Sequence, residues 1–374
     1  MNTLKTIYVA LGSNLGQKHK NLENSITKIY EKVGDVVRVS KVYETPAKGF
    51  EGNNFYNACI EVRTRLEAEH VLKSLLEIET EMGRSRNQSE GYANRVIDLD
   101  ILFYEDEVIN SKDLTIPHPE LHHRDFVLFP LCDIAPQFLH PVKNESIIDL
   151  RKHLEADNNI KRINQTLEPR PIEISSINYL CIEGNIGVGK TTFAKMLSED
   201  LNFKLILERF KDNPFLPKFY EDPKRYAFPT EMSFLADRHQ QLVDDISQLD
   251  LFSQFSIADY DLYKSLIFAK VTLQDQEFEL YKKVFNIIYR DLPKPDLYVY
   301  FYQNTERLLT NIRKRGRDYE QNIEANYLDK INQGYIDFIN AERRFKTKII
   351  DVSELDFVEN RQDYLEVISK IFND

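Results

Sequence analysis

The segment 184–191 reads GNIGVGKT and fits the pattern G-x-x-x-x-G-K-[ST], which is typical of loops that bind nucleotide phosphates. The glycines allow backbone N–H groups to curl around phosphate oxygens. Lys190 can reach the β- and γ-phosphates, and the Thr191 hydroxyl can bind Mg²⁺. A short apolar stretch precedes the loop, and apolar residues follow it at helical spacing. A helix is therefore expected to begin directly after the loop, with its N-terminus facing the bound anion. The segment therefore predicts a site for ATP and Mg²⁺, with a ligand-free glycine turn as the alternative.

A second candidate site lies in the stretch RVIDLDILF, which carries Asp98 and Asp100. Alternate residues of a strand share one face, so the two carboxylates should lie about 7 Å apart on the same side. Hard oxygen ligands at that spacing suit one or two Mg²⁺ ions, although a solvated strand edge explains such a pair equally simply. Cationic residues flank the pair and could bind phosphate groups: Arg84, Arg86, Arg95, His118 and Arg124.

Three histidines near this second site raise a different alternative. His118, His122 and His123 fall within one short segment, and imidazole groups bind transition metals. The segment has no cysteine beside it and is predicted to be a loop, so we favour the phosphate interpretation.

The elements that must position Asp98 and Asp100 follow the order βαββαβ. TIYVAL, DVVRVSKVYE, FYNACIEVRT and RVIDLDILFY have strand character, and apolar residues recur at helical spacing over 22–33 and 67–81. This order is the split-βαβ, ferredoxin-like pattern, which needs an antiparallel sheet with helices on one face. We predict an α+β ferredoxin-like domain over residues 1–160.

The elements around the phosphate loop alternate differently. YLCIE, FKLILE, QFSIAD, PDLYVYF and TKIIDV are short apolar stretches separated by long helical patterns. Such strands suit a parallel sheet buried on both faces. We predict a doubly wound α/β P-loop domain with a parallel sheet over residues 177–374. The polar segment 161–176, which contains Pro169 and Pro171, is predicted to be a linker.

Composition excludes several classes of protein. The chain has 374 residues, which is long for one core and comfortable for two. Its net charge of −11 is spread over both halves, so neither half is predicted to bind nucleic acid or an anionic membrane. No apolar run is long enough to span a bilayer. Three widely spaced cysteines without a CxxC pair are predicted to be buried free thiols, and we expect a cytoplasmic protein.

A phosphate loop predicts a phosphoryl donor but not an acceptor. Glu208 follows the second strand of the back half, where strand ends line the ligand crevice of an α/β sheet. A carboxylate there could take a proton from a hydroxyl acceptor, although a solvated glutamate is the simpler interpretation. Asp259 ends the third strand in the same way. The segment RKRGR is either a solvated basic turn or an arginine lid that closes on the transferring phosphoryl group.

The whole of 177–374 resembles the deoxynucleoside kinase family, most closely the bacterial deoxyguanosine and deoxyadenosine kinases. The stretches that carry the resemblance are DNPFLPKFYEDPKR, IADYDLYKSLIFA and RKRGR. The resemblance implies ATP-dependent phosphorylation of a deoxyribonucleoside 5′-hydroxyl and a homodimer through this domain. The catalytic residues it implies are Glu208 as general base, Lys190, Arg315 and Arg317. It also implies ATP binding by Gly184, Asn185, Ile186, Gly187, Val188, Gly189, Lys190, Thr191 and Thr192, and nucleoside binding by Tyr220, Glu231, Arg238 and Glu320.

Three positions depart from that family's common pattern. Glu231 stands where many members have a glutamine that reads the nucleobase. A carboxylate only accepts hydrogen bonds unless it is protonated, so it favours guanine, whose edge offers N–H donors. Tyr260 replaces an arginine that would have pointed into the site. Asn311 stands where a first lid arginine often occurs, and Arg313 is its candidate substitute.

Residues 6–150 resemble 6-hydroxymethyl-7,8-dihydropterin pyrophosphokinase, an enzyme of folate synthesis. The matching stretches include ALGSNLG, YETPAKG, FYNACIEV, GRSR, RVIDLDILF and the long segment from VINSKDL to CDIAP. The resemblance implies pyrophosphate transfer from ATP to the pterin hydroxymethyl group, with AMP released. Asp98 and Asp100 would bind two Mg²⁺ ions and be catalytic. Thr45, Pro46, Phe55, Asn57 and Phe126 would bind the pterin. Glu79 would lie on the nucleotide side, Arg84, Arg95, His118 and Arg124 would bind the triphosphate, and Arg86 and Tyr92 would belong to a closing loop.

Together these patterns predict a bifunctional enzyme with two nucleotide sites. A non-catalytic regulator, in which one half binds nucleotide and controls the other, is the alternative of another class. Retention of the paired aspartates and of both Lys190 and Glu208 argues against it. A nucleoside monophosphate kinase is the alternative for the back half, and DNPFLPKFYEDPKR argues against that.

Overall fold

The computed structural model describes residues 3–47, 52–84, 94–154, 159–170, 172, 177–209, 213–247, 255–290, 292–341 and 344–372. The chain divides into two compact units, residues 1–173 and 174–374. We call them the first unit and the second unit. All three cysteines are free and buried, as predicted from their spacing.

The first unit is built on an antiparallel sheet. Its strands are β1 (Lys5–Ser13), β2 (Asp35–Val39), β3 (Tyr43–Thr45), β4 (Phe55–Thr64), β5 (Asp98–Tyr104), β6 (Ile109–Asn110), β7 (Thr115–Ile116) and β8 (Lys161–Arg162). The order along the sheet is β5-β1-β4-β3-β8, β2 pairs with the far end of β4, and β6 and β7 form a separate ribbon. DVVRVSKVYE is therefore two strands rather than the one predicted. Ser40 separates them because its hydroxyl accepts the Cys59 N–H at 2.9 Å.

Helices cover both faces of this sheet. They are α1 (Lys18–Lys32), α2 (Ala68–Glu81), α3 (Asp125–Ile134) and α4 (Ile147–Lys152). Alternate residues such as Val9 and Ile60 pack in one core with α1 and α2, whereas Tyr8, Cys59 and Phe103 pack in a second core with α3 and α4. The prediction of helices on one face was wrong, because residues of both orientations along these strands are apolar and both faces must be buried.

The predicted linker 161–176 belongs in part to the first unit, which corrects the sequence-based boundary. β8 pairs with β3, and Leu167 is 6% exposed within the first core. Arg170 exchanges two backbone hydrogen bonds with Val36, at 3.1 and 2.8 Å. Sequence alone favours a linker here because a strand of two residues is too short to display a period.

This correction changes where the first unit can be truncated. We expect a fragment 1–173 to fold alone, and a fragment 1–160 to melt about 5–10 °C lower. The shorter fragment loses β8 and the burial of Leu167, which contributes about 1.5–3 kcal/mol. Thermal denaturation of both fragments measures the difference, and Leu167→Ala in the longer fragment should reproduce part of it. Equal melting temperatures would contradict the assignment.

The second unit contains a five-stranded sheet. Its strands are β9 (Tyr179–Gly184), β10 (Lys204–Ile206), β11 (Ser256–Ala258), β12 (Leu297–Tyr302) and β13 (Lys346–Asp351). Its helices are α5 (Lys190–Leu201), α6 (Leu216–Glu221), α7 (Pro223–Ser247), α8 (Tyr263–Thr272), α9 (Asp275–Tyr289), α10 (Thr305–Arg315), α11 (Ala325–Ala341) and α12 (Arg361–Phe372). The strand order is β10-β11-β9-β12-β13, and every neighbouring pair is parallel.

Burial explains the apolar character of these strands. Leu180, Cys181 and Ile182 of β9 are all at most 1% exposed, as are Tyr298 and Tyr300 of β12. Parallel strands that are covered by helices on both faces have continuous apolar sequences. The carboxyl ends of such strands form the crevice in which ligands bind. Among the described residues of both units, no helix has the length and apolar character needed to cross a membrane.

Candidate active sites

The phosphate loop connects β9 to α5 in the second unit. Gly189 has φ of +95°, in the left-handed region that favours glycine, and a Cβ there would lie 2.9 Å from the Phe357 ring. The loop then enters α5 at Lys190, and the N–H groups of the first helical turn are available to an anion. Lys190 and Thr191 both line the adjacent cavity. The local chain geometry is therefore that of a phosphate site.

Two asparagines support the loop from behind. Asn185 is fully buried, and its Nδ2 donates to Leu328 O and Asn332 Oδ1, both at 2.8 Å. Asn311 donates from Nδ2 to Gly187 O at 3.0 Å. Asn311 therefore braces the loop from the position where an arginine was expected.

Asp259 connects the loop to the acceptor side of the site. It follows the end of β11, and its carboxylate accepts hydrogen bonds from the Thr191 hydroxyl and from the Glu208 backbone N–H, the latter at 2.8 Å. Two neighbouring strand ends are thus tied to the first turn of α5, as expected for the carboxyl edge of a parallel sheet.

The Glu208 carboxylate lies at the centre of the second site. Its Oε1 accepts from Arg238 Nε at 2.8 Å and Nη2 at 2.6 Å, and its Oε2 accepts from Lys264 Nζ at 2.5 Å. Burial raises its pKa, but the charges of Lys264, Arg238 and Lys190 outweigh burial and hold the pKa well below its usual range. Glu208 is therefore an ionised carboxylate beside the phosphate loop, and hydrogen bonds to both of its oxygens fix its orientation.

Lys264 lines the cavity beside the phosphate loop and binds Glu208, although it is not among the site residues predicted from sequence. It lies in the first turn of α8, where the helix dipole disfavours a cation. A lysine in the first turn of a helix is therefore a sequence signal for a functional position, but it can be recognised only when the start of the helix is known. Tyr260, which replaces an expected arginine, is fully buried and does not line the cavity.

A cavity of about 110 Å³ lies beside Glu208, and the phosphate loop and the acceptor side both line it. Of the predicted nucleoside-binding residues, Tyr220, Glu231 and Arg238 line it. Burial raises the pKa of Glu231 to about 7, against the opposing effects of Arg238 and a hydrogen bond from Thr272. That bond reaches Oε1 at 3.0 Å, while the buried Oε2 has no hydrogen-bond partner among the described residues. Glu231 therefore lines the cavity and has one buried carboxylate oxygen that is unsatisfied among the described residues.

The predicted arginine lid follows α10. Gly316 has φ of +71° and ends the helix, and Arg315 and Arg317 on either side of it line the cavity. Both arginines donate to the Glu320 carboxylate, with Arg317 Nη1 at 3.1 Å. Glu320 is buried but does not itself line the cavity, so here it restrains the lid arginines. Arg313 is exposed and is not among the residues lining this cavity.

The first unit holds a larger cavity, of about 580 Å³, over β1, β4 and β5. Backbone N–H groups of Asn14 and Leu15 donate to Arg95 O at 3.1 and 3.2 Å and anchor the approach to β5. Gly12 pairs with Asp98 across the sheet, and a Cβ there would lie 3.3 Å from Asn57 Oδ1. A glycine at this position therefore keeps the cavity floor open.

One side of this cavity is suited to a flat heterocycle. The predicted pterin-binding residues all line it: Thr45, Pro46, Phe55, Asn57 and Phe126. Asn57 Nδ2 donates to Thr45 Oγ1 at 2.8 Å, which fixes the amide orientation. Aromatic rings stack on flat ligands, and a fixed amide gives such a site a hydrogen-bonding edge.

The other side of this cavity is lined by both carboxylate and guanidinium groups. Asp98 and Asp100 share one face of β5, since Leu99 between them is buried. Arg84 Nη1 lies 2.6 Å from Asp98 Oδ1 and also donates to Glu79, and Arg95 donates to Asp98 Oδ2. Glu79 Oε1 accepts the Leu99 N–H at 2.9 Å, so α2 is tied to β5 at the site.

Burial and charge shift two titratable groups in this cavity. Burial and the charge of Asp98 raise the pKa of Asp100 to about 6. Burial and the neighbouring Arg124 lower the pKa of His118 to about 4, so the imidazole is neutral at pH 7. Arg124 Nη1 lies 3.7 Å from Asp100 Oδ2 and 3.5 Å from His118 Nε2. An added cation would relieve the crowding of negative charge at the two aspartates.

The donor set fits Mg²⁺ better than a transition metal. Mg²⁺ is usually bound by one or two carboxylates, with waters and substrate phosphates completing the octahedron, and Asp98 and Asp100 supply two hard oxygen groups. No cluster of three or more His, Cys, Asp or Glu side chains able to hold a metal occurs in the described part of the chain. His122 and His123 do not line the cavity. Arg86 and Tyr92 lie outside the described residues.

Both sites have the groups used by enzymes that transfer phosphoryl groups from nucleotides, and comparisons with known proteins agree. Residues 180–374 match the model of the family described as deoxynucleoside kinase, and residues 8–136 match that of 7,8-dihydro-6-hydroxymethylpterin-pyrophosphokinase. The chain belongs to both families, one in each half. Both resemblances inferred from sequence are therefore confirmed, and the protein is a bifunctional kinase.

Individual relatives give the same division. The chain is 39% identical over 197 residues to deoxyguanosine kinase of Bacillus subtilis, which covers 52% of this chain and 95% of that protein. It is 36% identical over 159 residues to 2-amino-4-hydroxy-6-hydroxymethyldihydropteridine pyrophosphokinase of Aquifex aeolicus, covering 42% of this chain and 95% of that protein. It is 31% identical to deoxyadenosine kinase of Dictyostelium discoideum, covering 49% of this chain and 75% of that protein.

Proposed function

We propose that the first unit transfers pyrophosphate from ATP to 6-hydroxymethyl-7,8-dihydropterin, and that the second phosphorylates the 5′-hydroxyl of a purine deoxynucleoside. The observation that carries the proposal is that each cavity joins a phosphate-binding side to an acceptor side. In the first cavity, Asp98 and the arginines form the phosphate side, and Phe55 and Phe126 form the acceptor side. In the second cavity, the phosphate loop lies opposite the acceptor side at Glu208. The products would be AMP at the first site and ADP at the second.

At the first site, the pterin ring would lie between Phe55 and Phe126 with Asn57 reading its amide edge. Arg84, Arg95 and Arg124 would bind the triphosphate. Mg²⁺ held by Asp98 and Asp100 would supply positive charge at the phosphates when bound. The neutral His118 would donate or accept a hydrogen bond without adding charge. We also propose the ferredoxin-like fold for this unit, on the strand order β5-β1-β4-β3.

At the second site, Glu208 would take the proton of the 5′-hydroxyl. Lys190 would bind the β- and γ-phosphates, Thr191 would help to hold Mg²⁺, and Arg315 and Arg317 would stabilise charge on the transferring phosphoryl group. Tyr220, Glu231 and Arg238 would position the nucleoside, with Glu320 near its sugar. The whole cavity, phosphate side included, has a volume of about 110 Å³ and is small for a nucleoside, so we propose that it opens on binding.

The raised pKa of Glu231 makes the choice of purine depend on pH. Above pH 7 the carboxylate accepts two hydrogen bonds and suits the N1–H and N2–H₂ donors of guanine. Below pH 7 the protonated acid has both a donor and acceptors and suits adenine. We expect the deoxyguanosine/deoxyadenosine ratio of kcat/KM to rise between pH 6 and pH 8.

Glu231→Gln provides the test of this expectation. Its amide has an NH₂ donor group and a carbonyl acceptor at all pH values, so the ratio should be independent of pH. At pH 8 it should be lower than in the wild type by more than about fivefold, roughly 1 kcal/mol. An unchanged ratio would show that Glu231 does not read the base, and a wild type that prefers thymidine or deoxycytidine would overturn the purine assignment.

Assembly and location are part of the proposal. Helix α9 exposes Leu280 and Ile287 at 54% and 67% on one side, and a second copy of the second unit would bury them in a homodimer. Sedimentation equilibrium of the intact chain tests this, since a monomer at micromolar concentration would contradict it. The free buried thiols support a reducing, cytoplasmic location.

One experiment distinguishes the bifunctional enzyme from a regulator with one active half. The intact chain is incubated with ATP and either the hydroxymethyl pterin or each of the four deoxynucleosides, and AMP is separated from ADP. We expect AMP with the pterin and ADP with a purine deoxynucleoside. Activity with only one class of acceptor would favour the regulator.

A further inference from the structure

Lys264 is a buried cation that uses only part of its hydrogen-bonding capacity. Its side chain is 9% exposed, and Nζ lies 2.5 Å from Glu208 Oε2. An ammonium has three N–H donors. Among the residues that the structure describes, Nζ donates one hydrogen bond, to Glu208. Lys264 lines the second cavity. Two donors of a buried ammonium are therefore left for a ligand.

Arg238, the other partner of Glu208, uses all of its side-chain nitrogens in hydrogen bonds to the protein. Its Nε and Nη2 bind Glu208 Oε1, and its Nη1 donates to Ser265 Oγ at 2.6 Å. All three nitrogens are thus engaged with the protein. Arg238 holds the carboxylate in place, whereas Lys264 can hold it and still bind a second anion.

The phosphate side of the cavity lies next to Lys264. Lys190 lines the same cavity, and after burial the charge of Lys264 is the largest cause that lowers the pKa of Lys190. Two neighbouring ammonium groups, with Lys264 buried and Lys190 partly buried, are stabilised by an anion between them. The phosphoryl group that passes from the loop to the acceptor is such an anion.

We propose that Lys264 is a catalytic residue of the kinase site, and that its ammonium contacts the transferring phosphoryl group while it holds Glu208. The inference rests on the proposed role of Glu208. In the transfer from a nucleoside triphosphate, the 5′-oxygen bonds to the γ-phosphorus and the bond to the β–γ bridging oxygen breaks. That electron pair stays on the nucleoside diphosphate, and the hydroxyl proton passes to Glu208. Lys264 stabilises the negative charge on the γ-phosphoryl oxygens during this step.

The inference is tested with Lys264→Met and Lys264→Arg in the intact chain. The methionine variant should lower kcat for deoxynucleoside phosphorylation by about a hundredfold or more, the scale for a primary electrostatic group, and change the deoxynucleoside KM by less than about threefold. The arginine variant keeps the cation and should retain clearly more activity. Lys270→Met, at an exposed position of the same helix, is the matched control and should leave kcat unchanged.

A double-mutant cycle separates contact with the phosphoryl group from an effect exerted through Glu208. If Lys264 touches the phosphoryl group, Lys264→Met should still lower kcat by about tenfold or more in a Glu208→Gln background. A change below twofold in that background would overturn the inference, as would equal loss in the methionine and arginine variants. Full activity of Glu208→Gln alone would instead overturn the proposed base, so the two failures are distinguishable.

Discussion

Asp98→Ala should lower kcat/KM for pterin-dependent AMP formation by well over a hundredfold. Asp98 lies beside Arg84 and Arg95 and shares a strand face with Asp100, so its removal takes away one of two proposed Mg²⁺ ligands and uncouples two proposed phosphate-binding arginines. Loss of a primary electrostatic group costs about 10²–10³ in rate, and loss of metal binding adds to it. Deoxynucleoside phosphorylation by the same protein should be unaffected.

The measurement is separation of AMP, ADP and ATP after incubation with the hydroxymethyl pterin. Asp98→Asn is a second variant that preserves shape, and Asp106→Ala removes an exposed carboxylate just beyond β5 as a control. Detection of ADP as the pterin-dependent product would contradict pyrophosphate transfer. Retention of more than a tenth of the activity in Asp98→Ala would contradict the role of the paired aspartates.

Glu208→Gln should lower kcat for deoxynucleoside phosphorylation by about 10²–10⁴-fold with KM little changed. The glutamine keeps the shape and can still accept from Arg238, but it cannot take the proton of the 5′-hydroxyl. Because Lys264 and Arg238 hold the pKa of Glu208 low, the wild-type carboxylate is already ionised at neutral pH. Its contribution therefore depends on position as well as on basicity.

Initial rates with a purine deoxynucleoside at saturating ATP measure this effect. Glu359→Gln, at an exposed position, should be indistinguishable from the wild type. Lys190→Ala should instead weaken the use of ATP with any deoxynucleoside, because it removes the phosphate-loop cation. A Glu208→Gln variant within threefold of wild-type kcat would rule out Glu208 as the base.

The local motifs were predictable from sequence because each depends on only a few neighbouring residues. The phosphate loop needs glycines followed by Lys190 and Thr191, and the paired aspartates need only the two-residue period of a strand. The apolar runs of β9 and β12 likewise follow from burial on both faces. Family membership of both halves was also readable, since long stretches resemble known families.

Tertiary structure decided the features that depend on distant partners. Lys264 could not be assigned from its neighbours, because its role comes from Glu208, 56 positions away. The same holds for Asn311, which supports Gly187 O from α10, and for Leu167, which completes the first core. The raised pKa of Glu231 arises from burial by several elements. Sequence periodicity reports which side of an element is apolar, whereas these properties depend on which side chains meet once the elements have packed.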